Sequence, residues 1–244
     1  MDPILEVRGL SKRFQGLLAI DNVTFALERN EILGLIGPNG AGKTTLIGLV
    51  SGTLDPTSGA VLFEGASIHH LPAYRRGLLG IARTFQVMRP FPGLTVLDNV
   101  AVGALFGAAG GSRQLGSARE QAHRWLQFVG LDHRAAQRAD ALGGPDRKRL
   151  ELAKALAMRP KVLLLDEVMA GLNHVEIEEV ISAIKKVRDQ GITILVIEHV
   201  MKAIQSLSDR LLVLHHGEKI AEGKPAEVLS NDQVIAAYLG KRRS

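Results

Sequence analysis

One glycine-rich segment has the residue types and the spacing of a phosphate-binding loop, or P-loop. It runs Gly37, Pro38, Asn39, Gly40, Ala41, Gly42, Lys43, Thr44 and Thr45. Glycines at these positions allow successive backbone N–H groups to converge on phosphate oxygens, and the Lys43 ammonium adds a full positive charge. The Thr44 hydroxyl is placed to bind a Mg²⁺ ion that bridges the outer phosphates. The motif therefore predicts a site for a nucleoside triphosphate and Mg²⁺.

Two adjacent carboxylates, Asp166 and Glu167, follow an apolar run at residues 162–165. A carboxylate at the C-terminal end of a buried strand, beside a P-loop, can hold Mg²⁺, often through water. The second carboxylate can orient or polarise an attacking water molecule. Two acids at a strand end are more often part of a solvated loop, but the P-loop in the same chain favours Asp166 as a metal ligand. Together the two motifs predict a P-loop nucleotide hydrolase and nothing narrower.

Composition excludes several classes of protein. The chain has 244 residues, 46% of them hydrophobic and 23% charged, so it is neither disordered nor collagen-like. The absence of cysteine excludes a disulfide scaffold and a thiolate zinc site. The net charge of +5 suits an anionic partner but is too small to choose among a nucleotide, a nucleic acid and a membrane surface. The pairs His69, His70 and His215, His216 are better explained as solvated turns, because adjacent histidines rarely point at one ion.

Continuous apolar runs place both motifs in an α/β sheet. Predicted strands cover residues 4–7, 23–27, 32–36, 162–165 and 192–197. The last three are almost entirely apolar, with Thr193 as the one polar residue, which is typical of strands buried on both faces. A helix is predicted over residues 44–50 and another over 175–190, the latter ending at Gly191 as its C-cap. The order strand, helix, strand predicts a parallel sheet.

The middle of the chain differs from both ends. Residues 87–160 are rich in Ala, Leu, Arg and Gln with helical spacing, broken by a Gly-rich stretch at 107–116. We predict that this segment is an inserted helical subdomain and that residues 1–86 and 161–244 form the nucleotide-binding core. A hairpin is predicted after Arg210, and a helix over residues 226–239. No run approaches the roughly 18 apolar residues of a membrane-spanning helix, and we expect no signal peptide.

Over essentially its whole length, the chain resembles the ATPase subunits of ATP-binding cassette (ABC) transporters. The resemblance is carried by the P-loop and by residues 83–86, 142–146, 163–167, 170–173 and 197–199. It implies a P-loop NTPase (RecA-like) core with a small antiparallel β subdomain and an inserted helical subdomain. It also implies ATP and Mg²⁺ as cofactors and a cytoplasmic location, peripheral on the inner face of the cell membrane.

The same resemblance implies roles for single residues. Glu167 would be the catalytic base, and His199 would contact the γ-phosphate and hold the attacking water. Gln86 would touch Mg²⁺, together with Thr44 and Asp166, and sense the membrane partner. Phe14, where the family usually has Tyr, would stack on the adenine.

Within this family, the chain most closely resembles the ATPase subunits of branched-chain amino-acid uptake systems. Further stretches that carry this likeness are residues 94–100, 149–153 and 237–240 and the Gly-rich insertion after Leu105. The likeness implies two ATP molecules between two such subunits in a homo- or heterodimer, with permease subunits and a substrate-binding protein as partners. Lipopolysaccharide-export ATPases share similar stretches, and a soluble DNA- or translation-linked cassette ATPase is the rival class. No nucleic acid is expected, and the lack of an Asn-Lys-x-Asp motif argues against a GTPase.

The segment that matches the family's Leu-Ser-Gly-Gly-Gln signature departs from it. Here it runs Leu142, Gly143, Gly144, Pro145 and Asp146. In the family this loop closes over the γ-phosphate bound to the other subunit, with the Ser hydroxyl and glycine N–H groups as donors. Gly143 lacks the hydroxyl, Pro145 lacks an N–H, and Asp146 adds a negative charge unless it turns away or caps the helix. We therefore expect an asymmetric ATPase, in which the site completed by this loop is the weaker one.

Overall fold

Two β-sheets and the helices around them make up the computed structural model, which describes residues 2–85, 90–108 and 114–239. The strands are β1 (Leu5–Phe14), β2 (Leu17–Leu27), β3 (Ile32–Ile36), β4 (Ser58–Phe63), β5 (Ala66–Ser67), β6 (Ile81–Arg83), β7 (Val162–Asp166), β8 (Thr193–Ile197), β9 (Arg210–His215) and β10 (Glu218–Gly223). The helices are α1 (Lys43–Ser51), α2 (Ala73–Leu79), α3 (Val96–Phe106), α4 (Leu115–Phe128), α5 (Gly144–Ala157), α6 (His174–Asp189), α7 (Met201–Leu207), α8 (Pro225–Leu229) and α9 (Asp232–Leu239). The chain is thus α/β, as predicted.

The larger sheet has the strand order β10-β9-β3-β8-β7-β6. Its neighbours from β9 to β6 pair in parallel, and β10 pairs antiparallel with β9. Every residue of β3, β7 and β8 is buried, with alternate side chains entering two different core clusters. Burial on both faces explains why these strands are continuous apolar runs in the sequence.

The smaller sheet is antiparallel, with the order β2-β1-β4-β5. Its buried side chains share one cluster with α1 and with one face of the larger sheet. Strands β1 and β2 span ten and eleven residues, far beyond the short runs predicted from the sequence. Their extra length is partly exposed, so it carries no continuous apolar signal.

A third core cluster lies among α3, α4 and α5. Helix α5 belongs to two clusters, because Leu150 and Ala153 pack into this one while Leu156 packs against the larger sheet. The predicted extent of the inserted subdomain remains a prediction. Among the described residues, none of the helices combines the length and the apolar character that crossing a bilayer requires.

The prediction of a single helix over residues 226–239 is wrong. The structure has two helices there, α8 and α9, separated by Ser230 and Asn231. The Asn231 side chain accepts a hydrogen bond from the Gln233 N–H at 2.8 Å, so it serves the start of α9 instead of continuing α8. Asparagine commonly competes with helix continuation in this way.

Candidate nucleotide-binding site

The P-loop connects β3 to α1 in a conformation that requires glycine. Gly37, Gly40 and Gly42 have φ values of 149°, 78° and 102°. A Cβ on Gly37 would lie 2.1 Å from the Leu214 carbonyl oxygen, so β9 can approach only a glycine there. Helix α1 begins at Lys43 without a side-chain N-cap among the described residues. Its first backbone N–H groups therefore remain available to an anion.

The Lys43 side chain lies over the P-loop. Its ammonium donates hydrogen bonds to the carbonyl oxygens of Gly37 at 2.6 Å and Pro38 at 3.0 Å, and the residue is 6% exposed. Burial lowers the pKa of Lys43, whereas the charges of Glu167 and, less strongly, Asp166 raise it. The ammonium is thus held between the loop and the two acids at the end of β7.

Asp166 ends β7 and is 2% exposed. Its Oδ2 accepts a hydrogen bond from Arg83 Nη2 at 2.8 Å, while its Oδ1 is buried without a hydrogen-bond partner in the described chain. Buried polar atoms are normally paired, and a carboxylate oxygen is the kind of ligand that Mg²⁺ prefers. Asp166, with the exposed Thr44 on α1, therefore fits a Mg²⁺ site. Gln86, the third predicted ligand, lies outside the described residues.

Glu167 and His199 face each other. Glu167 Oε1 lies 2.5 Å from His199 Nε2. The register of β7 and β8 pairs Asp166 with Ile197, so the residues that follow these two strands lie side by side. Glu167 has a φ of 52°, a left-handed conformation that costs a non-glycine residue on the order of 1–3 kcal/mol and is often found at functional sites. A carboxylate and an imidazole in this arrangement can bind one water molecule and accept its proton.

The P-loop, Glu167 and His199 line one cavity of about 840 Å³. It is lined by Phe14, Leu17, Leu18, Ala19, the P-loop residues 39–45, Glu167, His199 and His216. Phe14, at the end of β1, is 41% exposed and therefore is not a core residue. His216, in the turn between β9 and β10, was not predicted to line a site, because a His-Gly turn has no motif that distinguishes it. The structure thus brings Phe14, the P-loop, Glu167 and His199 together.

Residues 142–146 are described, and none of them lines this cavity. Gly143 is the N-cap of α5, and Pro145 lies in the first turn of the helix. The Asp146 carboxylate lies 3.3 Å from Arg134 Nε and 3.6 Å from Arg149 Nη1. Asp146 therefore turns towards two arginines of its own chain and does not cap the helix.

Glu198 is a buried acid that sequence reasoning did not single out beyond its place beside His199. It is 1% exposed, and burial raises its pKa to about 7. Its Oε1 accepts a hydrogen bond from the Met169 N–H at 2.8 Å. A lone Glu after an apolar strand carries no sequence signal of burial, since this residue type is nearly always exposed.

Comparison with known protein families gives two matches. The family model described as "ABC transporter" matches residues 20–170. The model described as "Branched-chain amino acid ATP-binding cassette transporter" matches residues 218–243, which include β10, α8 and α9.

Curated relatives match over almost the whole chain. The chain is 38% identical to the high-affinity branched-chain amino acid transport ATP-binding protein BraF of Pseudomonas aeruginosa, over 98% of both chains. It is 39% identical to LivG of Escherichia coli, which has the same description, again over 98% of both. A probable LivG of Archaeoglobus fulgidus is 36% identical over 99% of this chain and 97% of its own.

Solved structures have the same fold. A nucleotide-free ATP-binding cassette from an ABC transporter superposes with a TM-score of 0.88 at 31% identity, covering 98% of this chain and all of that one. An ATP-binding cassette in its ADP conformation gives a TM-score of 0.87 at 31% identity, covering 99% of this chain and all of that one.

Proposed function

The chain belongs to the ATP-binding family of ABC transporters and is an ATPase of that family, and we propose that it powers the import of branched-chain or other hydrophobic amino acids. The single observation that best supports the ATPase chemistry is the Glu167–His199 pair, which lines one cavity with the P-loop. The match of residues 218–243 to a branched-chain amino acid family supports the substrate class.

In the proposed reaction, the P-loop N–H groups and Lys43 bind the phosphates of ATP, and Phe14 stacks on the adenine. Water attacks the γ-phosphorus, the bond to the bridging oxygen breaks, and ADP leaves with that electron pair. Glu167 accepts the proton of the attacking water, and His199 holds the water in line. Mg²⁺, bound by Asp166 and Thr44, would neutralise charge on the outer phosphate oxygens. Gln86 as a further ligand remains a prediction.

The working unit in this proposal contains two ATPase subunits. As the likeness to the family's signature loop implies, residues 142–146, which do not line the cavity of their own chain, would reach the phosphates of ATP bound to the other subunit. Permease subunits would dock near Gln86 and residues 87–100, where the described Phe91 and Leu94 are exposed apolar side chains. The assembly would lie on the cytoplasmic face of the membrane, with a substrate-binding protein on the other side.

Uptake in cells tests the transport proposal. A strain lacking this gene is complemented with the wild type, with Glu167→Gln or with Glu178→Gln, and uptake of labelled leucine, isoleucine and valine is measured. Glu178 is an exposed residue of α6 and serves as the matched control. We expect uptake with the wild type and the control and none with Glu167→Gln. Uptake that is the same with or without the gene would contradict the proposed substrate class.

Purified full-length protein tests the chemistry separately. We expect Glu167→Gln to lower ATP turnover by at least about 100-fold while ATP affinity changes little, because a general base contributes about that much. Equal turnover by the wild type and this variant would exclude Glu167 as the base.

A further inference from the structure

The loop that carries Glu167 needs restraints to hold its shape. This loop, residues 167–173, connects β7 to α6 and contains two left-handed residues, Glu167 with φ 52° and Gly171 with φ 74°. A non-glycine residue such as Glu167 adopts this conformation unfavourably and keeps it only where surrounding contacts enforce it. The contacts that enforce it are therefore contacts on which the position of the Glu167 carboxylate depends.

Two hydrogen bonds from the end of β8 restrain this loop. The Glu167 N–H donates to the Ile197 carbonyl oxygen at 3.0 Å, which extends the pairing of β7 with β8 by one residue. Two residues further on, the Met169 N–H donates to Glu198 Oε1 at 2.8 Å. Met169 is fully buried, so its N–H depends on a protein acceptor, and Glu198 Oε1 is that acceptor in the structure. The bend at Glu167 is thus fixed on one side by the backbone and on the other by the Glu198 side chain.

Burying the Glu198 carboxylate costs free energy, which must be offset by the interactions that the side chain makes. A buried carboxylate is costly, and the neighbouring charge of Glu167 raises its pKa further. Hydrogen bonds with the Met169 and His199 backbones and, less strongly, the charge of Lys148 on α5 lower the pKa and offset this in part. The Lys148 ammonium also donates a hydrogen bond to the Ala170 carbonyl oxygen, so both side chains hold the same loop. An apolar residue at position 198 would avoid the cost of a buried charge, but it could not accept the Met169 N–H.

We propose that Glu198 is a positioning residue for ATP hydrolysis, which fixes the bend of residues 167–173 through the Met169 N–H and so holds Glu167 against His199. Glu198 need not touch the nucleotide in this role. The inference rests on the proposed function of Glu167 as the base, but the restraint itself is a property of the chain and can be measured without turnover.

Two conservative variants separate the reach of the side chain from its charge. Glu198→Gln keeps an oxygen at the right distance and removes the charge. Glu198→Asp keeps the charge and withdraws the oxygens by about 1.5 Å, one bond length. Wild type, both variants and the Glu178→Gln control are compared as full-length proteins. The measurements are amide hydrogen exchange of a peptide covering residues 167–173, the dissociation constant for the fluorescent analogue MANT-ATP, and kcat with KM for ATP.

We expect Glu198→Asp to accelerate exchange in this peptide and to lower kcat, each by about tenfold, because a buried N–H loses its acceptor. Its dissociation constant for MANT-ATP should stay within about twofold of the wild-type value, since the P-loop is unchanged. Glu198→Gln should match the wild type in exchange and should keep kcat within about threefold, because its amide oxygen still accepts the bond. The Glu178→Gln control should match the wild type throughout.

Three results would overturn the proposal. They are wild-type exchange in Glu198→Asp, a Gln variant more impaired than the Asp variant, and a parallel loss of affinity and turnover. A wild-type protein that binds ATP without hydrolysing it would contradict the proposed function instead, and the exchange data would still decide whether Glu198 restrains the loop.

Discussion

Among the single residues of the site, Lys43 stands out because its ammonium is buried next to two carboxylates. Lys43 forms its hydrogen bonds to the P-loop carbonyls, and the charges of Glu167 and Asp166 act on it. An ammonium so placed is available to phosphate oxygens, and charge-assisted hydrogen bonds of this kind are the strong ones. Lys43 therefore should contribute more to binding than any exposed lysine.

We predict that Lys43→Ala weakens MANT-ATP binding by at least about tenfold, because it removes the full positive charge nearest the phosphates. Lys186→Ala is the control, since Lys186 is exposed on α6. Fluorescence titration of both proteins checks the prediction. Similar dissociation constants for the two variants would show that the Lys43 side chain does not contribute to nucleotide binding.

Glu198 also makes stability depend on pH. Its folded-state pKa of about 7 lies above the ordinary value of 4.5, so between these pH values the folded chain holds a proton that the unfolded chain has lost. Stability must then fall as pH rises through this window, by about 2–3 kcal/mol between pH 5 and pH 8. Glu198→Gln cannot titrate and should escape this loss.

Urea denaturation at the two pH values tests that expectation. The free energy of unfolding of Glu198→Gln minus that of the wild type should increase by about 2–3 kcal/mol from pH 5 to pH 8, because only the wild type loses stability. The exposed Glu178→Gln should show no such trend. A constant difference between the Gln variant and the wild type would show that the carboxylate is already ionised at pH 5.

At the scale of elements, the P-loop is constrained by the strand beside it. A Cβ on Gly37 would meet the backbone of β9, whereas a Cβ on Gly40 would have no heavy atom within 4 Å. Both residues have positive φ, so alanine is strained at either position. The two variants share the penalty of a positive φ, and Gly37→Ala adds a clash with the backbone of β9.

We predict that Gly40→Ala lowers the free energy of unfolding by about 1 kcal/mol, the cost of a left-handed residue. Gly37→Ala should cost at least about 2 kcal/mol more, because the P-loop and β9 must move apart. Urea denaturation of both variants gives the two values. Equal losses in the free energy of unfolding for the two variants would mean that β9 can move away from the P-loop at no energetic cost.

Whether a strand or helix could be predicted from the sequence depends on how much of it is buried. Strands β3, β7 and β8 are buried on both faces, so their apolar runs identified them. The exposed halves of β1 and β2 have no such run and were missed. The break between α8 and α9 depends on one asparagine side chain that binds a nearby N–H, and this choice is not visible in a periodic pattern.

At the scale of the whole molecule, the cavity gathers segments that are far apart in sequence. The P-loop, Glu167 and His199, which line it, could be predicted together with Asp166, which does not line it, because the C-terminal ends of parallel strands meet at one edge of the sheet. His216 and residues 17–19 could not be predicted to line the cavity, because they belong to no motif and only the fold brings them there. The same holds for Glu198, whose importance lies in one buried hydrogen bond.

Association of two subunits depends on the loop at the start of α5. In a homodimer, residues 142–146 would complete both ATP sites, and both would lack the donors replaced by Gly143 and Pro145. In a heterodimer only one site would depend on this loop. Asp146 is paired with Arg134 and Arg149, so the missing hydroxyl and N–H would be the main weakness of a site that this loop completes. We therefore expect weak self-association of this chain on its own.

Sedimentation velocity with ATP tests this expectation in the Glu167→Gln background, in which we expect hydrolysis to be slowed. Adding Gly143→Ser and Pro145→Gly should tighten dimerisation by at least about tenfold, because each restored donor is worth about 1–3 kcal/mol when it is buried against phosphate. The change should require ATP and should vanish in Lys43→Ala. Equal dimerisation with and without the two substitutions would show that the loop does not limit closure, and the asymmetric ATPase would lose its basis.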